Sequence, residues 1–316
     1  MTISLESQDI ISSSTSFSQK SDGNPLDDPS IVTFRIASTL FPAIPLKELS
    51  AHSKVIRGAI AAPSASELIV YTLTSANSEG EFMIKTEEEV SAGDFEVLLK
   101  YLDGCEGINS QIALLTLQSL LRISHPTRLD IPKLHSDARQ TFESIFPPHM
   151  LAIKRDSSTL YHALLVAEEF TFRNVRKALL YAIITSNNID TAAGTPSDPA
   201  WSAHHVKIFA HLLAKFIDKF APVLYTVANA GHMACTDAFA DAWMPLVIEP
   251  SYQDDGVTDP LRSLERIKGI DWGKHGICDE CVKDKTDEWN GEMEVIWEML
   301  DQWIEEAEIK VLNDRK

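Results

Sequence analysis

The segment Ala92-Gly93-Asp94-Phe95-Glu96-Val97-Leu98-Leu99-Lys100-Tyr101-Leu102-Asp103-Gly104 is where the hydrophobic pattern of this chain changes its period. Phe95, Leu98, Leu99 and Leu102 stand at i, i+3, i+4 and i+7, which lines up one face of an α-helix, and Gly104 is the residue type that stops one. Upstream, apolar residues come in short β-branched and aromatic runs. Ile31-Val32-Thr33-Phe34-Arg35-Ile36 reads as a strand, and Leu40-Phe41-Pro42-Ala43-Ile44-Pro45 as a second, closed by proline. Leu68-Ile69-Val70-Tyr71-Thr72-Leu73 and Glu81-Phe82-Met83-Ile84 read as two more, with a polar loop at 75–80 between them. Residues 46–50, continued by 53–60, form a helical stretch between the strand pairs, and Pro63-Ser64-Ala65-Ser66 ends it.

Downstream the period stays helical. Helices are expected at 112–123, 134–146, 161–170, 174–184, 204–220, roughly 223–243, and 289–307. The segment 112–123 is apolar on nearly every side and should be deeply buried. Residues 186–199 read as a polar, proline-bearing loop, and 250–277 as loop-rich. The fold class is therefore α+β: a small sheet capped by helices, followed by a mostly α-helical C-terminal region.

A chain of 316 residues, 44% of them hydrophobic, has room for two folded units. Residues 1–28 are rich in Ser, Asp and Asn and read as a disordered tail. The units then divide as 29–146 and 147–316. With 46 acidic side chains against 28 basic ones and a formal charge of -18, the surface repels phosphate backbones and anionic lipid, so nucleic acid and membrane are not expected partners. The opening sequence MTISLESQDIISSSTSFSQK has neither a basic n-region nor a continuous apolar core, and no apolar run approaches the roughly 20 residues that span a bilayer. An intracellular protein, cytoplasmic or nuclear, is expected. Its four cysteines are too few for a disulfide framework.

With the order of elements in view, several segments resemble the BTB/POZ family. Leu46-Lys47-Glu48-Leu49-Ser50-Ala51-His52-Ser53-Lys54-Val55-Ile56-Arg57 resembles the segment in which a helix leads into L-x-x-x-S-x-x-F. Residues 92–104 are similar to its D-F-E-x-L-L-x-x-L-Y-x-G helix. Leu120-Leu121-Arg122-Ile123 with Leu129-Asp130-Ile131-Pro132-Lys133-Leu134 resembles L-A-x-K-Y-x-V-P-x-L, and Phe142-Glu143-Ser144-Ile145-Phe146-Pro147 continues as in the BTB-containing proteins abundant in mushroom-forming fungi. Those proteins carry a late Cys-x-x-Cys and a Trp-bearing last helix, which correspond here to Cys278-Asp279-Glu280-Cys281 and to Trp289 through Trp303. The resemblance implies docking: homo- or hetero-dimerisation and recruitment of protein partners. Some relatives serve as substrate adaptors of cullin-type ubiquitin ligases, although no clear cullin-docking signature stands in this sequence.

The residues that can carry chemistry are few. His232-x-x-Cys235 and Cys278-x-x-Cys281 are two pairs whose two-residue spacers let both members reach one ion, and zinc takes four N/S ligands in a tetrahedron. They form a candidate structural Zn²⁺ site. Two other readings stay open: Cys235 as a small buried hydrophobe beside an unrelated His232, or the cluster as the centre of a metal-dependent enzyme or redox protein. His204, His205 and His211 share a predicted helix beside Phe209, Leu212 and Phe216, and Asp237 and Asp241 share another. Both sets fit partly exposed helix faces. No Gly-rich phosphate loop, G-x-S-x-G or H-E-x-x-H is present, so no catalytic residue and no small-molecule substrate is assigned. Along the last helix, Trp289, Met293, Ile296, Trp297, Leu300, Trp303, Ile304 and Ala307 form an aromatic seam opposite Glu292, Glu294, Glu298, Asp301, Glu305 and Glu306. It reads as a lid closing the helical core, with a partner-binding helix as the alternative. The expected protein is a non-catalytic interaction or scaffold protein.

Overall fold

The structure, a computed structural model, describes residues 31–36, 38–61, 69–74, 79–84, 90–104, 108–109, 111–153, 159–186, 202–253 and 256–313. The tail expected over 1–28 and the loop over 187–199 lie outside the described residues. The described residues are mostly helical with one small sheet, an α+β arrangement, and the chain divides into two compact units, Met1–Thr141 and Phe142–Lys316.

In the first unit, β1 (Ile31–Ile36) and β2 (Thr39–Pro45) pair antiparallel, as do β3 (Ile69–Thr74) and β4 (Glu79–Ile84). β1 also pairs with β4, in parallel, which sets the sheet order β2-β1-β4-β3. A parallel neighbour cannot be reached by a hairpin, so the chain crosses over through α1 (Leu46–His52) and α2 (Lys54–Ala61). Strand alternation places Val32, Phe34 and Ile36 on the buried face of β1. Phe34 and Phe41 then meet Phe95 of α3 (Ala92–Leu102) with ring centroids 5.1 and 5.0 Å apart. Ser91 caps α3 by accepting from the Asp94 N–H, and Gly104 leaves it at φ +74°.

α4 (Leu114–Ser124) and α5 (Pro132–Ile145) complete the run of helices. Leu117, Leu120, Leu121 and Ile123 are buried, but Leu115 is 66% exposed, so α4 is not buried on every side as its composition suggests. Ser53 ties the crossover to the α4–α5 turn. It is fully buried between α1 and α2, donates its hydroxyl to the Leu129 carbonyl and accepts from the Ile56 N–H. The Lys54 N–H donates to the Asp130 carbonyl at 3.0 Å beside it, where Asp130 holds a positive φ of 43°.

The second unit is helical. α6 (Leu160–Glu169) and α7 (Arg173–Ile184) pack against one another, and α7 is buried from Lys177 to Ile184. α8 (Ala203–Tyr225) and α12 (Asp279–Asn313) pack against one another. Between them the chain forms α9 (Met233–Trp243), a π-helical turn at Met244–Ile248, α10 (Glu249–Gln253), α11 (Pro260–Lys268) and a 3₁₀ turn at Trp272–His275. Two expectations change here. The helix expected over 223–243 is interrupted at 226–232, where Val227, Asn229 and Gly231 weaken it, and the stretch 250–277 is largely helical. α11 starts at Asp259-Pro260, with Asp259 capping the Arg262 N–H and proline in the first turn. Among the described residues, no helix is long and apolar enough to cross a membrane.

Replacing Ser53 by Ala removes the buried donor to Leu129 and the cap of α2. We expect the first unit to lose about 1–3 kcal/mol, read as a lower urea midpoint at unchanged slope. A midpoint equal to that of the wild type would contradict the role given to this hydroxyl.

Candidate metal centre

The two Cys/His pairs occupy the same local position on two different helices. His232 is the N-cap of α9 and Cys235 its third helical residue; Cys278 immediately precedes α12 and Cys281 is its third residue. Side chains at these two positions share one side of a helix's first turn, the geometry that a capping box also uses. Gly276, at φ +88°, ends the 3₁₀ turn and redirects the chain toward Cys278. A side chain there would sit in the left-handed region that favours glycine.

The two helix starts converge. The Cys235 and Cys278 sulfurs are 3.6 Å apart, and His232 Nδ1 lies 3.5 Å from Cys278 Sγ and 3.7 Å from Cys281 Sγ. One donor atom from each of the four residues falls within 4.8 Å of every other. A tetrahedron with Zn–S of about 2.3 Å and Zn–N of about 2.0 Å has S···S edges of about 3.8 Å and S···N edges of about 3.5 Å. These three separations match such edges to within 0.2 Å, and the two sulfurs 3.6 Å apart stand well beyond the roughly 2.05 Å of a disulfide. The four residues could hold a metal ion, and no other such group of His, Cys, Asp or Glu occurs among the described residues.

Burial is uneven. Cys235 and Cys281 are buried, whereas His232 and Cys278 are exposed. The Cys281 backbone N–H and side chain hydrogen-bond Cys278 and hold its thiol down at about 7, while burial pushes the Cys281 thiol up. Beneath the cluster lies an aromatic core. Cys235 leads along α9 to Phe239 and Trp243, and Cys281 along α12 to Trp289. The Trp243, Trp272 and Trp289 rings sit 6.0–6.4 Å apart, with Phe239 4.9 Å from Trp272. The aromatic seam of α12 is buried within the unit, apart from the half-buried Trp297, whose ring carries the Lys177 ammonium at 4.6 Å from its centroid.

The other candidate groups disperse. Asp237 and Asp241 are exposed. His211 faces Glu306 and Lys215, and burial lowers its affinity for a proton. His205 is buried in a polar network whose partners no local pattern revealed. Its Nε2 pairs with Glu168 at 3.0 Å, and its Nδ1 lies 2.7 Å from the Ser202 hydroxyl and 3.0 Å from the Tyr161 hydroxyl. Arg176 donates to Glu168 at 2.9 Å and to Glu308. His204 and Glu168 border a neighbouring cleft of ≈ 340 Å³ together with Arg173, Arg176 and Glu308. Ser202 is also the N-cap of α8, accepting the His205 N–H, so this cluster closes a helix start.

No protein-family model, curated protein or solved structure matches this chain.

The Glu168 network carries a pH signature. Burial opposes its ionisation, but hydrogen bonds from His205 and Arg176 outweigh that, and its carboxyl titrates below the ordinary value. With the folded value depressed, its stabilisation is complete above the ordinary carboxylate range and disappears as pH falls through the folded value. Thermal unfolding of the wild type should therefore fall more steeply below pH 4.5 than that of Glu168→Gln. Parallel curves would contradict this.

Proposed function

We propose that this chain is a non-catalytic protein-interaction protein, in which a BTB/POZ-like unit dimerises or recruits a partner and a helical unit is held by one structural Zn²⁺. The observation that carries the reading is the element order of residues 31–145. Two strands, two short helices, two strands and three helices follow one another, and the strands form one sheet in which β1 joins both hairpins; an order of this kind supports the resemblance. A sheet-and-helix unit of this kind offers faces for association.

The Cys/His cluster supports the same reading. Three thiolates and an imidazole fill a tetrahedral zinc shell, leaving no position for an exchangeable water, so such a site stabilises a fold instead of activating a substrate. Buried Cys235 and Cys281 anchor it from below. The net charge of -18 favours protein over phosphate-bearing partners.

Light scattering on the full chain after size exclusion should give twice the mass of one chain at micromolar concentration. A strict monomer that captures no protein partner would overturn the interaction reading, and co-purification of a cullin would redefine it as that of a ligase adaptor. Elemental analysis should give one zinc per chain. Cys281→Ser should bind it more weakly by at least the roughly 10–100-fold that loss of a hydrogen bond supporting a ligand costs, with a lower unfolding temperature. Metal-dependent turnover of a small substrate would replace the reading by that of an enzyme.

A further inference from the structure

We propose that Cys278 is an oxidation site and that the cluster can staple α9 to α12 in two alternative states: reduced with zinc bound, or oxidised with a Cys235–Cys278 disulfide and zinc released. This rests on the zinc reading above. Three observations point to it. Cys278 is the exposed thiol of the cluster, whereas Cys235 and Cys281 are buried, so an oxidant in solution meets Cys278 first. Cys235 Sγ already lies 3.6 Å from Cys278 Sγ, and closing to the roughly 2.05 Å of a disulfide needs a shift of about 1.5 Å shared between two side chains. The two sulfurs belong to segments 43 residues apart, so their bond would join the same helix starts that the metal joins.

The chemistry balances with a peroxide as the two-electron oxidant. The Cys278 thiolate attacks one peroxide oxygen, the O–O bond breaks, and the hydroxide released takes a proton to leave as water; Cys278 is now a sulfenic acid. The Cys235 thiolate attacks Cys278 Sγ, the S–S bond forms, and the departing hydroxide takes a second proton. Two thiolates are oxidised by two electrons, and one peroxide is reduced to two waters. Zinc keeps only His232 and Cys281 and dissociates.

The test uses zinc-loaded, reduced full-length protein titrated with hydrogen peroxide. Zinc release is followed with a chromophoric chelator, disulfides by peptide mapping after alkylation, and helicity by far-ultraviolet circular dichroism. One zinc should leave for each Cys235–Cys278 disulfide formed, helicity should stay within about 10% of its starting value, as the replaced cross-link requires, and a phosphine reductant with added zinc should restore the metal. Zinc retained at a tenfold excess of peroxide, a Cys278–Cys281 disulfide, or release accompanied by helix loss would each overturn the proposal while leaving the zinc reading intact. Protein that holds no zinc before oxidation would overturn both.

Discussion

The second unit depends on burying one face of a 35-residue helix. Isolated helices draw little stability from their own hydrogen bonds in water, so α12 persists because its seam from Trp289 to Val311 is covered. α8 covers much of it: Phe216 meets Trp303 with centroids 5.9 Å apart. α7 reaches the helix with two cations. Lys177 pairs with Asp301 at 2.6 Å and Arg176 with Glu308, so a helix with acidic outer positions is held by charge where its apolar seam gives way. The buried Tyr181 hydroxyl donates to Asp259 and accepts from the Leu261 N–H, which fixes the start of α11 against the same assembly.

The N-terminal stretch of α12 has little seam of its own. From Asp279 to Glu288 the sequence is mainly polar, and only Cys281 among these residues is buried. Helix formation there is favoured by Asp279 and Glu280 in the first turn, which interact well with the positive end of the helix dipole. The Cys/His cluster lies at the end where hydrophobic packing is weakest. The proposed zinc cross-link would act at that point, where burial does not, and the aromatic core of Phe239, Trp243, Trp272 and Trp289 takes over a few turns further in.

Much of this could be read from local pattern. The periods of β1, α3 and the α12 seam each name a buried face, and Gly104 marks the end of α3 by residue type alone. That His232, Cys235, Cys278 and Cys281 could share one metal ion was legible because both pairs obey a spacing that a first helical turn imposes. Less legible was whatever depended on distant partners. α11 was hidden in a stretch rich in Pro, Gly and Asp, although Asp259-Pro260 and the apolar Leu261, Leu264 and Ile267 carry its signature. α12 was read as beginning ten residues late because its first turns lack an apolar stripe. The Glu168–His205 pair joins residues 37 apart and leaves no periodic trace.

In the proposed oxidised state, the placement of Cys235 and Cys278 bears on the unfolded chain as much as on the folded one. A covalent bond between positions 43 residues apart would forbid the denatured ensemble every conformation in which those points are distant, whereas a metal ion binds the folded arrangement and would leave that ensemble unconstrained. For a permanent link across a loop of that length, the chain-entropy relation gives about 4 kcal/mol at 25 °C, comparable with a large part of the stability of a typical domain. In the proposed oxidised state the two helix starts would draw support from configurations the denatured chain is denied, in addition to the contacts formed when it folds.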